Sequence, residues 1–261
     1  MQQLKTVRFT VDDHIATIVL ARPERRNALS ITLATELTGI LKDLVRDSEV
    51  RAVVITGEGS AFCSGADLKD RREMTPEDME LIRERILEFV ALIDRFPSPV
   101  IAMINGPAVA GGFELALSCD IRVASDAAFF SLTEVKNVGA FPGAGGPLRL
   151  ARLVGKGKAK LITLTGRRFS AKEALDLGFV ELVVPAARLH EEVYALAREL
   201  TANSPLGVRA AKLLINEGTE IHSSGGATLS QALRAPLDRT RDHDEALAAW
   251  HEKRQPQFVG H

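Results

Sequence analysis

The chain has 261 residues, 46% hydrophobic and 26% charged, with 33 basic against 34 acidic side chains for a formal charge of -1. That length fits one large domain or one and a half, and the composition is that of a soluble globular protein. The near-zero charge excludes a global attraction to nucleic acid or anionic membrane, so an anionic partner has to be met by a local cluster.

The opening residues, MQQLKTVRFTVDD, lack a basic stretch followed by an apolar one, and no apolar run approaches the roughly 20 residues that span a bilayer. Cys63 and Cys119 sit in small-residue or apolar contexts and read as buried fillers in a reducing compartment, not as a disulfide framework. The expectation is a cytoplasmic protein. Val7 to Asp12 and Ile15 to Leu20 predict a hairpin around Asp12-Asp13-His14, with His14 a solvated loop residue. Arg25 and Arg26 follow, either an ordinary solvated loop or guanidinium groups matched to a phosphate. Ser30 is a good N-cap for a helix from Ile31 to Val45, whose Leu33, Leu37, Ile40, Leu41 and Leu44 form one stripe.

Val50 to Thr56 predicts a buried strand feeding Gly57-Glu58-Gly59-Ser60-Ala61-Phe62. Phe62 stands where the third glycine of a dinucleotide fingerprint belongs, so a nicotinamide cofactor is not supported. A helix start follows at Ala66-Asp67, and another at Thr75-Pro76-Glu77-Asp78, which runs toward Phe96.

Val100 to Ile104 is a short continuous apolar run between Pro99 and Asn105-Gly106-Pro107, the pattern of a strand buried on both faces. Ala108 to Gly112 offers almost no side-chain volume, and helical spacing restarts at Phe113, placing Gly111 and Gly112 at a helix start. The first amides of a helix have no intrahelical partner, so they either serve tight packing or bind an oxyanion. Glu114 follows directly. Beyond it come short strands at Ile121 to Ala124 and Ala128 to Leu132, then Glu134 and the turn-rich Gly139 to Gly146. Helices at Leu148 to Val154 and Lys158 to Thr165 lead to a helix start at Ser170 and a last strand at Val180 to Val184. From Ala187 the chain is helical, with breaks expected at Ser204-Pro205 and at a loop over Ser223-Ser224-Gly225-Gly226. This divides an α/β core (1–186) from a helical region (187–261) that needs the core or another subunit to bury its apolar faces.

Six segments in order, ARPERRNALS, FCSGADLKD, SPVIAMINGPAVAGGFELALSCDIRVAS, FFSLTEVKNVGAFPGAGGPLRL, LTGRRFSAKEALDLGFVELVVP and EKRQPQFVG, span nearly the whole chain. Together they resemble the enoyl-CoA hydratase/isomerase, or crotonase, family. The resemblance implies an α/β spiral of ββα units with a C-terminal helical trimerisation region, assembled as a homotrimer or a homohexamer. It implies an oxyanion hole from the amides of Ala66 and Gly111, gripping the thioester carbonyl of an acyl-CoA. It also implies Glu114 as the base that activates water and Glu134 as the acid that protonates C2, the pair expected of a hydro-lyase acting on an enoyl-CoA. The CoA would lie along Arg25, Arg26, the backbone of Ala66, Asp67, Leu68 and Lys69, the Gly111 turn and Lys253. No metal or redox cofactor is called for, and neither nucleic acid nor membrane is an expected partner. The other readings are a double-bond isomerase or a hydrolase of a ketoacyl-CoA, and a catalytically silent RNA- or CoA-binding member using Arg71-Arg72 and Arg83-Glu84-Arg85. The chain departs from the family pattern at Ala110, expected to be neutral in place of a glycine, at Thr133, expected to loosen the segment aiming Glu134, and at Pro147-Leu148 and Trp250.

Overall fold

The computed structural model describes residues 4–219, 221 and 223–261, with the side chains of Leu68, Ser223 and Ser224 outside that description. Strands β1 (Val7–Asp12) and β2 (Ile15–Leu20) pair antiparallel as the predicted hairpin. Its turn places Asp13 and His14 at φ 45° and 64°, the positive-φ pair that matches strand twist. His14 is more than a solvated loop residue, because its Nδ1 lies 2.8 Å from the Glu49 carbonyl and ties the turn to the next connection.

Helix α1 (Ile31–Leu44) starts at Ser30, whose hydroxyl accepts from the Leu33 amide, and buries the leucine stripe. Strand β3 (Ala52–Gly57) is buried throughout, and α2 (Leu68–Glu73) is capped by Asp67. Helix α3 (Pro76–Asp94) opens on a reciprocal Thr75–Asp78 capping box. Then come β4 (Val100–Ile104), β5 (Ala108–Val109), α4 (Gly111–Ser118), β6 (Ile121–Ser125), β7 (Phe129–Ser131) and α5 (Glu134–Asn137). The helices expected around 148–165 form α6 (Gly146–Thr165), broken at Gly155, whose φ of 76° no helix accommodates. β8 (Phe169–Ser170), α7 (Ala171–Leu177) and β9 (Leu182–Val184) complete the strands.

The main sheet has the order β1-β2-β3-β4-β6-β9, parallel from β2 onward, and β5-β7-β8 form a second, smaller sheet. Side-chain alternation explains why β3 and β4 read as unbroken apolar runs. Val53, Ile55, Ala102 and Ile104 join the large core beneath α1 and α3, while Val54, Ile101 and Met103 face the other way. That second face is covered by Leu189, Val193 and Ala197 of α8 (Leu189–Ala202), so the first helix past the composition change closes the sheet. Phe113 of α4 stacks near Phe130 and Phe179 at 5.2 and 5.3 Å, fixing α4 against the small sheet.

Helices α9 (Pro205–Gly218), α10 (Ser223–Arg234) and α11 (Arg241–Glu252) follow. The break at Ser204-Pro205 is present. The loop expected over Ser223 to Gly226 is instead the first turn of α10. Contact with α9 overrides the poor helix propensity of two glycines, and a Cβ on Gly226 would stand 3.5 Å from the Gly218 carbonyl. Leu213, Ile215, Leu247 and Trp250 of these helices remain exposed, the last at 76%.

Candidate active site

The two glycine corners, after β3 and after β4, are packed against each other. The loop leaving β3 is held by Asn27, fully buried, whose Nδ2 donates to the carbonyls of Glu58 (3.0 Å) and Ala61 (2.8 Å) while its Oδ1 accepts from the Arg22 amide (2.9 Å). The Val109 amide donates to the Cys63 carbonyl at 2.9 Å, making the bridge between Cys63 and Ala108. Side-chain volume would force the corners apart: a Cβ on Gly112 would stand 2.1 Å from the Cys63 oxygen, and one on Gly65 2.7 Å from the Ala110 Cβ and 3.0 Å from the Gly111 nitrogen. Leu29 donates to the Gly65 carbonyl and accepts from the Asp67 amide, so strand alternation turns the intervening Ala66 N–H the other way. Among the described residues, the amides of Ala66 and Gly111 have no acceptor within the chain. The structure thus sets side by side the two donors that the sequence offered separately.

Ala110 is not neutral. It enters α4 at φ 52° and ψ -128°, a region that L-residues avoid and glycine does not, so the corner stores strain where the sequence suggested a harmless replacement.

Glu114, in the first turn of α4, is only 3% exposed. Its Oε1 accepts from the amides of Ala144 and Gly146, both at 2.8 Å, and Gly146 leaves it room, since a Cβ there would stand 2.8 Å from the Glu114 Cγ. Burial pushes its carboxyl up to about 7, with the charge of Glu134 adding to the rise and the two amides and Arg149 opposing it. Glu134 is the first residue of α5. Burial raises its carboxyl too, against its own backbone amide and the Arg71 guanidinium, and its Oε2 is buried with no hydrogen-bond partner among the described residues. Thr133 gives α5 no side-chain cap. The charge of Glu134 reaches Glu114, which their separation of twenty positions in sequence did not require.

Arg149 has no role in the sequence reading, yet it braces the loop that holds Glu114. It donates to the Ala144 carbonyl at 2.8 Å, reaches Asp94 of α3 at 3.2 and 3.3 Å, and lies across the side of Gly145 that a Cβ would fill. A cation one helical turn past a glycine-rich stretch was the available signal. Arg22 was likewise overlooked. It is largely buried and joins the Ala28 carbonyl to the Asp67 carboxylate.

Of the residues expected along the CoA, Arg25 and Arg26 are exposed beside this corner, Arg26 in a left-handed cap, and the charge of Arg25 reaches Asp67. The Asp67 carboxylate is itself taken up in capping the Lys69 and Asp70 amides and in pairing with Arg22. The side chain of Leu68 lies outside the described residues, and Lys69 is exposed. Lys253 ends α11 at φ 53°, exposed and without an ion pair among the described residues. In the basic cluster, Arg85 is paired with Glu88 at 2.7 Å and Nε of Arg71 is buried, while Arg72 is exposed.

Two bare amides where glycine corners meet, next to one buried and one half-buried carboxylate, on a mostly parallel sheet with a second small sheet, define a crotonase-fold protein. Residues 10–261 match the model of the enoyl-CoA hydratase/isomerase family, and the chain belongs to that family. A crystal structure of an enoyl-CoA hydratase from Bacillus anthracis superposes with a TM-score of 0.96 at 39% identity, covering 98% of this chain and all of that one. The human enoyl-CoA hydratase domain-containing protein 2, mitochondrial, is 39% identical over 254 residues, 95% of this chain and 87% of its own. The enoyl-CoA isomerase/hydratase fer4 of Mycosarcoma maydis is 36% identical over 252 residues, 93% and 92% of the two chains.

Proposed function

We propose that this chain is a hydro-lyase that adds water reversibly across the double bond of a trans-2-enoyl-CoA to give the 3-hydroxyacyl-CoA. The observation that carries the reading is the pair Glu114 and Glu134, both raised by burial and the first also by the charge of the second, beside the free amides of Ala66 and Gly111. Adding hydroxide at C3 builds enolate charge on the thioester oxygen, and each preorganised donor aimed at that charge lowers the barrier by about 3 to 4 kcal/mol. Glu114, anchored through Oε1, uses its carboxylate to orient and deprotonate the water, and with a carboxyl near 7 it is poised for that exchange at neutral pH. Glu134 delivers a proton to C2. In the reverse direction each acid does the opposite task.

The CoA lies along Arg25, Arg26 and the backbone from Ala66 to Lys69, and the chemistry calls for no cofactor beyond the CoA carried by the substrate. The chain assembles as a trimer or a pair of trimers through its C-terminal helices, whose apolar side chains stay exposed in the single chain, and Lys253 meets a ligand only in that assembly. Among the described residues no helix is long and apolar enough to cross a membrane. The cytosol is the proposed compartment, against which the mitochondrial name of the human relative stands as the alternative.

The test is a screen of short, medium and branched enoyl-CoAs, following the enoyl thioester absorbance and identifying the product. Loss of absorbance with 3-hydroxyacyl-CoA formation, abolished by Glu114→Gln and by Glu134→Gln alike, is the expected result. A shifted double bond without added water, surviving one of the two substitutions, would replace hydration by isomerisation, the activity named first for the Mycosarcoma maydis relative.

A further inference from the structure

Glu114 is held by a turn that has little to hold itself. From 139 to 146 the chain carries four glycines, two of them, Gly139 and Gly145, at positive φ, and Gly139, Phe141 and Gly143 are exposed. Glycine loses more freedom on ordering than any other residue, so a turn of this composition needs an outside support. Two of its amides nevertheless meet on one buried oxygen: Ala144 and Gly146 both donate to Oε1 of Glu114 at 2.8 Å. Gly146 is the first residue of α6, which puts the carboxylate at the positive end of that helix. With both donors on Oε1, Oε2 is left to the water of the proposed reaction.

The support is the Arg149 side chain. Its Nη1 donates to the Ala144 carbonyl at 2.8 Å, while Nε and Nη2 donate to the two carboxylate oxygens of Asp94 at 3.3 and 3.2 Å. Ala144 is thus gripped at both ends, its amide by Glu114 and its carbonyl by Arg149. The guanidinium passes Gly145 on the side where a Cβ would stand 2.5 Å from Nη1, so the glycine and the arginine are fitted to each other. Asp94 closes α3, and its own carbonyl accepts from Nδ2 of Asn216 on α9 at 3.3 Å, which seats the anchor between two helices.

We infer that Arg149, anchored by Asp94, is a positioning residue for the proposed reaction: by fixing the 144–146 turn it keeps two amides on Glu114 and so holds that side chain as the carboxylate that takes a proton from water. The inference rests on the hydratase reading of the same site. Hydrogen bonds to a charged form favour it, and burial opposes it. Burial acts most strongly on Glu114 and pushes its carboxyl upward, and the charge of Glu134 on α5 pushes the same way. Against them stand the Gly146 and Ala144 amides and the charge of Arg149. Every opposing influence therefore passes through Arg149 or through the turn it fixes. Asp94 of α3 is taken up with Arg149, and past the far end of α4 Asp120 pairs with Lys212 and Arg122 with Glu181.

The direction suits hydration. The water oxygen bonds to C3, its proton passes to Glu114, the electrons of the double bond move to the thioester oxygen, and Glu134 then gives a proton to C2. A Glu114 that already carries a proton cannot take another, so the hydrating rate follows its ionised fraction.

The experiment compares full-length wild type, Arg149→Met and Arg149→Lys, with circular dichroism as the check on folding. The enoyl-CoA that wild type turns over best is the substrate. Arg149→Met should lower kcat at neutral pH about 10- to 100-fold with KM changed less than about threefold. The acid limb of its pH profile, which belongs to Glu114, should move upward by about one unit or more. Arg149→Lys keeps the charge without the planar fork, so it should return the limb most of the way while recovering only part of the rate. A second readout does not depend on turnover: the carboxyl carbon-13 resonance of Glu114, identified by its loss in Glu114→Gln, should titrate at higher pH in Arg149→Met than in wild type. An unchanged titration overturns the inference, whether or not the protein hydrates any enoyl-CoA. So does a folded Arg149→Met whose loss is confined to KM, or an Arg149→Lys with the full wild-type rate, since charge alone would then suffice. Absence of hydration by wild type alongside the expected titration overturns the reaction reading alone.

Discussion

Replacing Glu114 by glutamine should abolish activity and, at alkaline pH, make the protein more stable. The carboxyl is 3% exposed and is raised from the ordinary glutamate value of 4.5 to about 7, so the native state holds its proton more tightly than the unfolded chain does. For such a group the stabilisation is complete below the unfolded value and is lost as pH rises through the folded one. At about 1.4 kcal/mol for each tenfold change in acidity, burying the ionised form costs on the order of 3 kcal/mol once the pH is well above 7. Glutamine keeps an oxygen for the Ala144 and Gly146 amides and carries no charge. Urea unfolding at matched protein concentration should therefore give nearly equal stabilities at about pH 5 and a variant ahead by about 2–3 kcal/mol at about pH 9. Turnover should fall by about 10²- to 10⁴-fold across the range. A stability difference that is the same at both pH values would refute the claim that the acid is held in a costly ionised state, and with it the reason for its poise near neutrality.

Relief of strain at the oxyanion corner is the second expectation: Ala110→Gly, at φ 52°, should raise stability by about 1 kcal/mol, and a less stable variant in thermal unfolding would count against strain there. Gly112→Ala, whose Cβ would meet the Cys63 carbonyl at 2.1 Å, should separate the two corners and lower kcat by at least about 10²-fold, and retention of wild-type turnover would show that the amides need not converge. Both thiols are buried and pushed up to about 12, so Cys63 and Cys119 should resist iodoacetamide at about pH 8 in the native protein and react fully in denaturant, as counted by mass spectrometry.

The sequence by itself determined what is local. Turn residues and alternation marked the β1–β2 hairpin, Ser30, Thr75 and Ser170 announced their helices, and Gly111 and Gly112, with the helix start at Ala66-Asp67, identified the places where backbone is bare. These follow from propensities and capping that act over a few residues. The order of six segments determined the family. Tertiary structure alone decided which bare backbone meets which: the Val109 to Cys63 bond that sets two corners back to back, the arrival of the 144–146 amides on Glu114, and the field of Arg71 on Glu134 link positions 30 to 63 residues apart. It also decided that Ala110 is strained and that α10 takes a glycine pair into its first turn, because a backbone angle at a crowded junction and a helix packed on its neighbour depend on what surrounds them and not on the residue's own preference. An acid's proton affinity is the extreme of the same rule, since the burial and charges that set it come from elements distant along the chain.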